Sequence, residues 1–270
     1  MQSGFIERTL SDINRTFEQS LFAEKVARQR GLLQFFDPRL KLIATVLLLL
    51  AVGSSHQPLV IVGFLVAAFV LGALSKVPLL SFIQRVLLFV FLFTGVIVLP
   101  SLFLTPGPVL WTLPLGLVVT RTGAMSALFL MLRVTASISW ATLLVLTTPW
   151  NDVLKALGVL HLPDVIVLIL GMTYRYIHML LHKANDMFLS RKSRLLKKLP
   201  REKERKLLAA TGGVLLGKSL QMSGEVYLAM LSRGYHHYPR TLDDFKMRWW
   251  DWLAGGIVML VTLGVIVFGY

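Results

Sequence analysis

The chain has 270 residues, of which 55% are hydrophobic and 16% charged, with a formal net charge of +14 and a mean hydropathy of +0.69. So few charges among recurring uncharged stretches exclude an ordinary soluble globule and point to an all-α integral membrane protein. The absence of cysteine excludes a disulfide framework and a thiolate metal site, and the excess of Lys and Arg reads as cytoplasmic retention of positive charge, with no nucleic acid as partner.

Residues 1–41 form an N-terminal cytoplasmic segment. Between 3 and 34, charges mix with Phe5, Ile6, Leu10, Ile13 and Phe17 at roughly helical spacing. That suits either an amphipathic helix on the inner membrane surface or a solvated helix packed on the protein. Arg8, Arg15, Glu18, Lys25, Arg28 and Arg30 interrupt any signal-peptide core there. Asp37-Pro38-Arg39 breaks the chain ahead of an apolar run, and Asp or Pro at that place suits the first turn of a helix.

Residues 42–148 hold four spans, at 42–52, 59–74, 86–104 and 124–146, the third kinked by Pro100. The first two are joined by an uncharged turn, and the next pair by a short basic link over 76–85. The stretch 105–122 carries Pro106, Pro108 and Pro114. It reads as an outer loop dipping partly into the membrane.

Residues 149–248 read as one cytoplasmic unit, with a short helix near 150–158 and long helices over about 163–197 and 202–235. Its most apolar run, 165–172, reaches only about 12 Å at 1.5 Å per residue, against about 30 Å of hydrocarbon. A span there would also place the Lys- and Arg-rich stretch 183–206 outside. The last domain, 249–270, is a fifth span over 253–270, entered through Trp249, Trp250 and Trp252 at headgroup level. Basic residues gather before the first span and over 183–206, whereas Arg121 stands alone between spans three and four. The N-terminus is therefore expected in the cytoplasm and the C-terminus outside, in a multi-pass protein of the cytoplasmic (inner) membrane. No internal repeat of the kind found in inverted-half transporters is visible.

Gly212 to Ser219, GGVLLGKS, match the phosphate-cradling pattern G-x-x-x-x-G-K-[ST]. Such a loop needs a strand before it and a helix after it, so that its backbone N–H groups face the phosphates. The preceding residues, Lys203 to Ala210, are helix formers. The match reads instead as a helix whose small residues, Gly213, Gly217, Ser219 and Ser223, let another helix approach closely.

Arg133 lies inside the fourth span, where a lone arginine costs roughly 2.5–3.5 kcal/mol on insertion scales. Backbone carbonyls, Ser137 or Ser139 are its expected partners. The histidines are His56, His161, His178, His182, His236 and His237. His178 and His182 have the i, i+4 spacing of a helical metal pair, but Asp186 is the one acid nearby and they read as surface or interfacial residues. No metal site and no cofactor are expected.

Two cytoplasmic helices carry a Ser-Arg pair near their ends. One pair lies in Leu189-Ser190-Arg191-Lys192, and the other in Leu231-Ser232-Arg233-Gly234, where Gly234 is placed as a C-terminal cap. An arginine so placed suits a bidentate pair with a partner's carboxylates.

These residues resemble the transmembrane T component of energy-coupling factor transporters, whose members carry two Xaa-Arg-Gly motifs at the ends of two coupling helices. Ser232-Arg233-Gly234 matches the second motif in full. Ser190-Arg191-Lys192 is similar to the first, with Lys192 in place of glycine. Asp37-Pro38-Arg39-Leu40-Lys41 before the first span and Thr147-Thr148-Pro149 after the fourth are similar to further family motifs. Gly4-Phe5-Ile6-Glu7-Arg8 and Leu102 to Gly107 resemble the cobalt/nickel branch, the CbiQ-like proteins. The resemblance implies about five transmembrane helices with a cytoplasmic coupling module of long helices. It also implies a non-catalytic subunit of an ATP-driven importer of cobalt or nickel. Two cytoplasmic ATPase subunits, held by Arg191 and Arg233, would be its partners, together with a substrate-binding membrane subunit. ATP would then be hydrolysed on the partner chains. An independent secondary transporter or metal channel is the competing reading; it needs ionisable residues lining the spans, where Arg133 stands almost alone. A membrane-embedded enzyme would need converging His, Asp or Glu, and none converge.

Overall fold

The computed structural model describes residues 24, 26–29, 31–104, 108–112, 118–160, 162–194, 200–235 and 247–268. Outside them lie most of the expected amphipathic segment 3–34, the motif Gly4 to Arg8, residues 105–107 of the outer loop, His161, His236 and His237. The chain divides into two compact units, one of Ala23–Ala156 with Phe245–Tyr270, the other of Met1–Phe22 with Leu157–Asp244.

In the first unit, α1 (Pro38–Ser54) and α2 (Pro58–Leu74) each start with proline in the first turn, where its missing N–H costs nothing. The third helix starts earlier than the hydropathy pattern suggests. It runs as α3 (Leu79–Phe89), a π-helical stretch Val90–Thr94 and α4 (Gly95–Leu104). The expected basic link over 76–85 therefore shrinks to a tight turn. Lys76 takes a left-handed conformation at φ 55°, Pro78 caps α3, and Arg85 falls inside the helix. Pro100 also lies within α4. The irregularity expected at the proline sits upstream, at the π turn. In the expected outer loop, β1 (Val109–Thr112) pairs antiparallel with β2 (Val118–Thr120), the two strands found among the described residues. Next come α5 (Arg121–Thr147) and α6 (Trp150–Val159), and α9 (Trp249–Phe268) completes the unit.

The core of this unit lies between α1, α2, α3 and α5. Leu48, Ala51 and Val52 of α1 meet Ile61, Phe64 and Ala68 of α2, with Ala136, Leu143 and Leu146 of α5. The ring of Phe82 on α3 meets that of Phe69 edge-on at 5.3 Å. In a bilayer such contacts stabilise through dispersion and close fit, because lipid tails are as apolar as the side chains they replace. Small residues set the approach. A Cβ at Gly255 of α9 would stand 2.9 Å from Leu40 Cδ1 on α1, so a larger residue at this crossing of the first and last helices would have to displace the Leu40 side chain.

The second unit holds two long helices, α7 (Asp164–Arg194) and α8 (Arg201–Ser232). They run antiparallel. Phe188 near the end of α7 packs on Leu207 and Leu208 near the start of α8, and Lys183 Nζ approaches Met222 Sδ at 3.7 Å. Towards the other end an apolar cavity of about 720 Å³ opens between them, bordered by Val165, Ile169 and Tyr176 of α7 and Val226, Met230 and Leu231 of α8.

By length and composition, four helical stretches can cross a membrane: Leu79–Val98, Arg121–Thr147, Asp164–Arg191 and Trp249–Val267, with Pro58–Leu74 a shorter apolar helix. The third of these was expected in the cytoplasm. The eight-residue length argument fails for it, because Ile177, Met179, Leu180 and Leu181 extend the apolar content along one unbroken helix.

Candidate functional site

The sequence-selected residues fall into two groups, one in each unit. The first is the pair of Ser-Arg steps on α7 and α8. At the end of α8 the chain closes a complete Schellman cap. Tyr235 N–H donates to the Met230 carbonyl at 3.0 Å and Gly234 N–H to that of Leu231 at 3.0 Å. Gly234 has φ +71°, a conformation that costs an L residue roughly 1–2 kcal/mol and glycine nothing. The glycine, one residue after Arg233, thereby stops the helix at Ser232 and leaves Arg233 exposed at the cap.

The α7 step differs. Its helix runs on through Lys192 to Arg194, so Lys192 occupies helical backbone, and replacing glycine there costs nothing. Arg191 is half-buried, with Nη1 3.5 Å from the Leu207 carbonyl of α8, a long and weak contact. Both serine hydroxyls turn back on their own helices, Ser190 Oγ donating to the Met187 carbonyl at 3.1 Å and Ser232 Oγ to that of Ala229 at 3.0 Å. The serines therefore help finish their helices; of the two arginines, Arg233 stands exposed and Arg191 lies half-buried against α8.

The GKS pattern lies within unbroken α8. Its backbone N–H groups are engaged along the helix and cannot cradle a phosphate. Among the described residues nothing covers these glycines, since a Cβ at Gly212, Gly213 or Gly217 would meet nothing within 4 Å. Glu202 and Lys206 pair at 2.9 Å one turn apart, in keeping with a solvated helix start.

The second group surrounds the start of α1. Asp37 caps the helix, its Oδ1 accepting from Arg39 N–H at 2.8 Å, with Pro38 at the first position. Asp37 N–H donates in turn to Asp251 Oδ1 at 3.1 Å, while Asp251 Oδ2 accepts from Arg248 N–H at 2.8 Å. Asp251 is only 4% exposed, and its carboxylate ties the starts of the first and last helices together. Lys41 Nζ donates to the Thr147 carbonyl at 3.1 Å, placing a cation at the C-terminal end of α5, where the helix dipole favours it. Thr148 is buried, its hydroxyl without a hydrogen-bond partner among the described residues, and the Pro149 carbonyl accepts from Asp152 and Val153 N–H to open α6. The Asp37-Pro38-Arg39 and Thr148-Pro149 motifs thus belong to one polar junction.

Sequence reasoning missed Asp251 and the role of Lys41. An acid three residues after a helix start, as in Arg248-Trp249-Trp250-Asp251, is half of a capping box and was readable. That its other oxygen serves Asp37, 214 residues away, was not.

Arg133 meets the sequence expectation of a backbone partner. Its Nη2 donates to the Ser55 carbonyl at 2.7 Å, at the C-terminal end of α1, and its guanidinium lies 4.9 Å from the Phe129 ring centre. Tyr174 stands edge-on to His178 at 5.0 Å, and among the described residues no group of three or more His, Asp or Glu could hold a metal ion.

Residues 30–242 match the family CbiQ, described as cobalt transport protein. An uncharacterized protein of Methanocaldococcus jannaschii is 35% identical over 269 residues, 97% of this chain and 92% of that protein. The nickel permease LarQ of Lactiplantibacillus plantarum is 30% identical over 143 residues, 52% of this chain and 51% of that permease.

Proposed function

The chain belongs to the CbiQ cobalt transport protein family, and from that premise we propose that it is the non-catalytic coupling subunit of an ATP-driven cobalt or nickel importer. It is a multi-pass membrane protein and a transport component. In the proposed complex two cytoplasmic ATPase subunits and a substrate-binding membrane subunit join it.

The observation that carries this reading is the placement of the two arginines. Arg191 contacts Leu207 at the start of α8, and Arg233 caps the end of that helix. Twenty-six residues of helix at 1.5 Å each separate them by roughly 39 Å. Two arginines so far apart cannot enter one groove, but they suit two copies of a partner, one at each end of the hairpin. Apolar side chains left exposed between them, among them Val165, Ile169, Leu220 and Leu228, suit a membrane-embedded partner. The charge-based topology, with the N-terminus and 183–206 in the cytoplasm and the C-terminus outside, goes with this reading. So do the four domains 1–41, 42–148, 149–248 and 249–270.

Affinity purification from detergent extracts tests it. The subunit should bring down ATPases, and an Arg191→Ala/Arg233→Ala double variant that still inserts should not. Metal uptake by cells holding this chain alone would instead support an independent carrier or channel.

A further inference from the structure

Two cavities in the first unit meet at one lysine. One, of about 850 Å³, is the more polar of the two and is bordered by Arg28, Gln34, Asp37, Asp152, Arg248 and Asp251. The other, of about 300 Å³, is apolar and lies between α1, α5 and α9, against Leu40, Leu48, Leu143, Ile257 and Val258. Phe36, Lys41 and Thr147 border both. We propose that one membrane glycerophospholipid occupies the pair, its phosphate at Lys41 in the polar cavity and an acyl chain in the apolar one.

The phosphate is argued from charge. Lys41 is 9% exposed. An ammonium has three donors, and among the described residues this one makes a single hydrogen bond, to the Thr147 carbonyl, and no ion pair. A buried charge left so is costly unless an anion joins it. Asp152 and Asp37 attract the ammonium through space, but among the described residues neither forms an ion pair with it. Asp37 Oδ1 holds Arg39 N–H, and both oxygens of Asp251 hold backbone N–H groups. Asp152 borders the cavity without an ion pair to Lys41 among the described residues. Arg248 lies over the Phe35 ring at 4.7 Å and supplies a second cation at the rim.

The hydrocarbon is argued from size and depth. At about 300 Å³ the apolar cavity has room for part of one acyl chain. Trp140 borders it, 8% exposed, its indole N–H buried with no acceptor among the described residues. Trp140 precedes Thr147 by seven residues, roughly 10 Å along α5. A donor at that depth suits the ester or ether oxygen that joins headgroup to chain. Cation, orphan donor and apolar slot thus follow one another in the order of a phospholipid's own parts.

The test uses the whole chain, delipidated in detergent and titrated with palmitoyl-oleoyl phosphatidylglycerol. Binding is read by native mass spectrometry and by the shift in unfolding temperature. The wild type should hold one lipid per chain and gain stability. Lys41→Met, which removes the charge, and Ala44→Phe, which fills the slot and leaves the charge, should each bind roughly tenfold more weakly or worse, as expected for loss of a charge-assisted hydrogen bond or of the slot. Should Lys41→Met fail to fold, Ala44→Phe decides. Equal lipid retention in wild type and Ala44→Phe overturns the proposal. So does an equal stability gain from inorganic phosphate alone, which would make the site one for a free anion, or from lauric acid alone, which would make it a simple apolar slot.

Discussion

Replacing Asp251 by alanine should uncouple the first helix from the last. The side chain is buried and accepts from Asp37 N–H at 3.1 Å and Arg248 N–H at 2.8 Å. Alanine leaves both donors without an acceptor. The Asp37 bond is buried and the Arg248 bond partly so, so the first loss should be near the full cost of an unsatisfied buried group and the second reduced by water. About 2 and about 1 kcal/mol give a total of about 3 kcal/mol, or roughly 6–12 °C in unfolding temperature for a domain of this size. Asp251→Asn keeps one acceptor oxygen but turns an N–H towards the other donor, so it should lose about half as much. The assay is thermal unfolding of the purified chain in one fixed detergent, followed by circular dichroism, with Asp186→Ala, an exposed acid, as control. An Asp251→Ala midpoint equal to that of the control would show that the crossing near Gly255 and Leu40, and not this carboxylate, holds the two helices together.

Other expectations concern coupling and topology. Arg233→Ala and Arg191→Ala should each weaken capture of ATPases, by about 2–5 kcal/mol if the arginine enters a buried charge pair, with Arg→Lys restoring only part; wild-type capture and metal uptake in the double variant would sink the docking mechanism. Gly234→Val should weaken capture nearly as much as losing Arg233, because φ +71° strains valine and misplaces the cap, whereas Lys192→Gly should bring no gain and only cost helix stability by about 1 kcal/mol; equal effects at both positions would contradict the different caps. Lys218→Ala should leave the purified chain as unable to bind ATP as before, since α8 is unbroken there; micromolar ATP binding abolished by this change would mean a real phosphate site. Cysteine at Lys203 should resist an impermeant thiol reagent in intact cells and cysteine at Tyr270 should react; the reverse pattern would place α7 across the membrane.

The sequence by itself determined the elements whose signals are local. Asp37 and Pro38 marked the start of α1, and Gly234 marked the end of α8, because capping depends on a few neighbouring residues. The helix-forming run before GKS excluded a phosphate loop for the same reason. Signals that depend on a total were less exact. The apolar run 165–172 looked too short to span, yet the whole of α7 qualifies by length and composition, because hydropathy adds along a helix that the sequence does not show to be continuous. The partner of Arg133 could be named only as a class, since every helix end offers free carbonyls; which end lies within reach depends on how α5 crosses α1. Lys41, Asp251 and Thr147 come from distant parts of the chain and meet only when α1, α5 and α9 pack together. Such contacts depend on crossing angles and register, which are set by the summed shapes of many side chains, so the tertiary structure alone decided them.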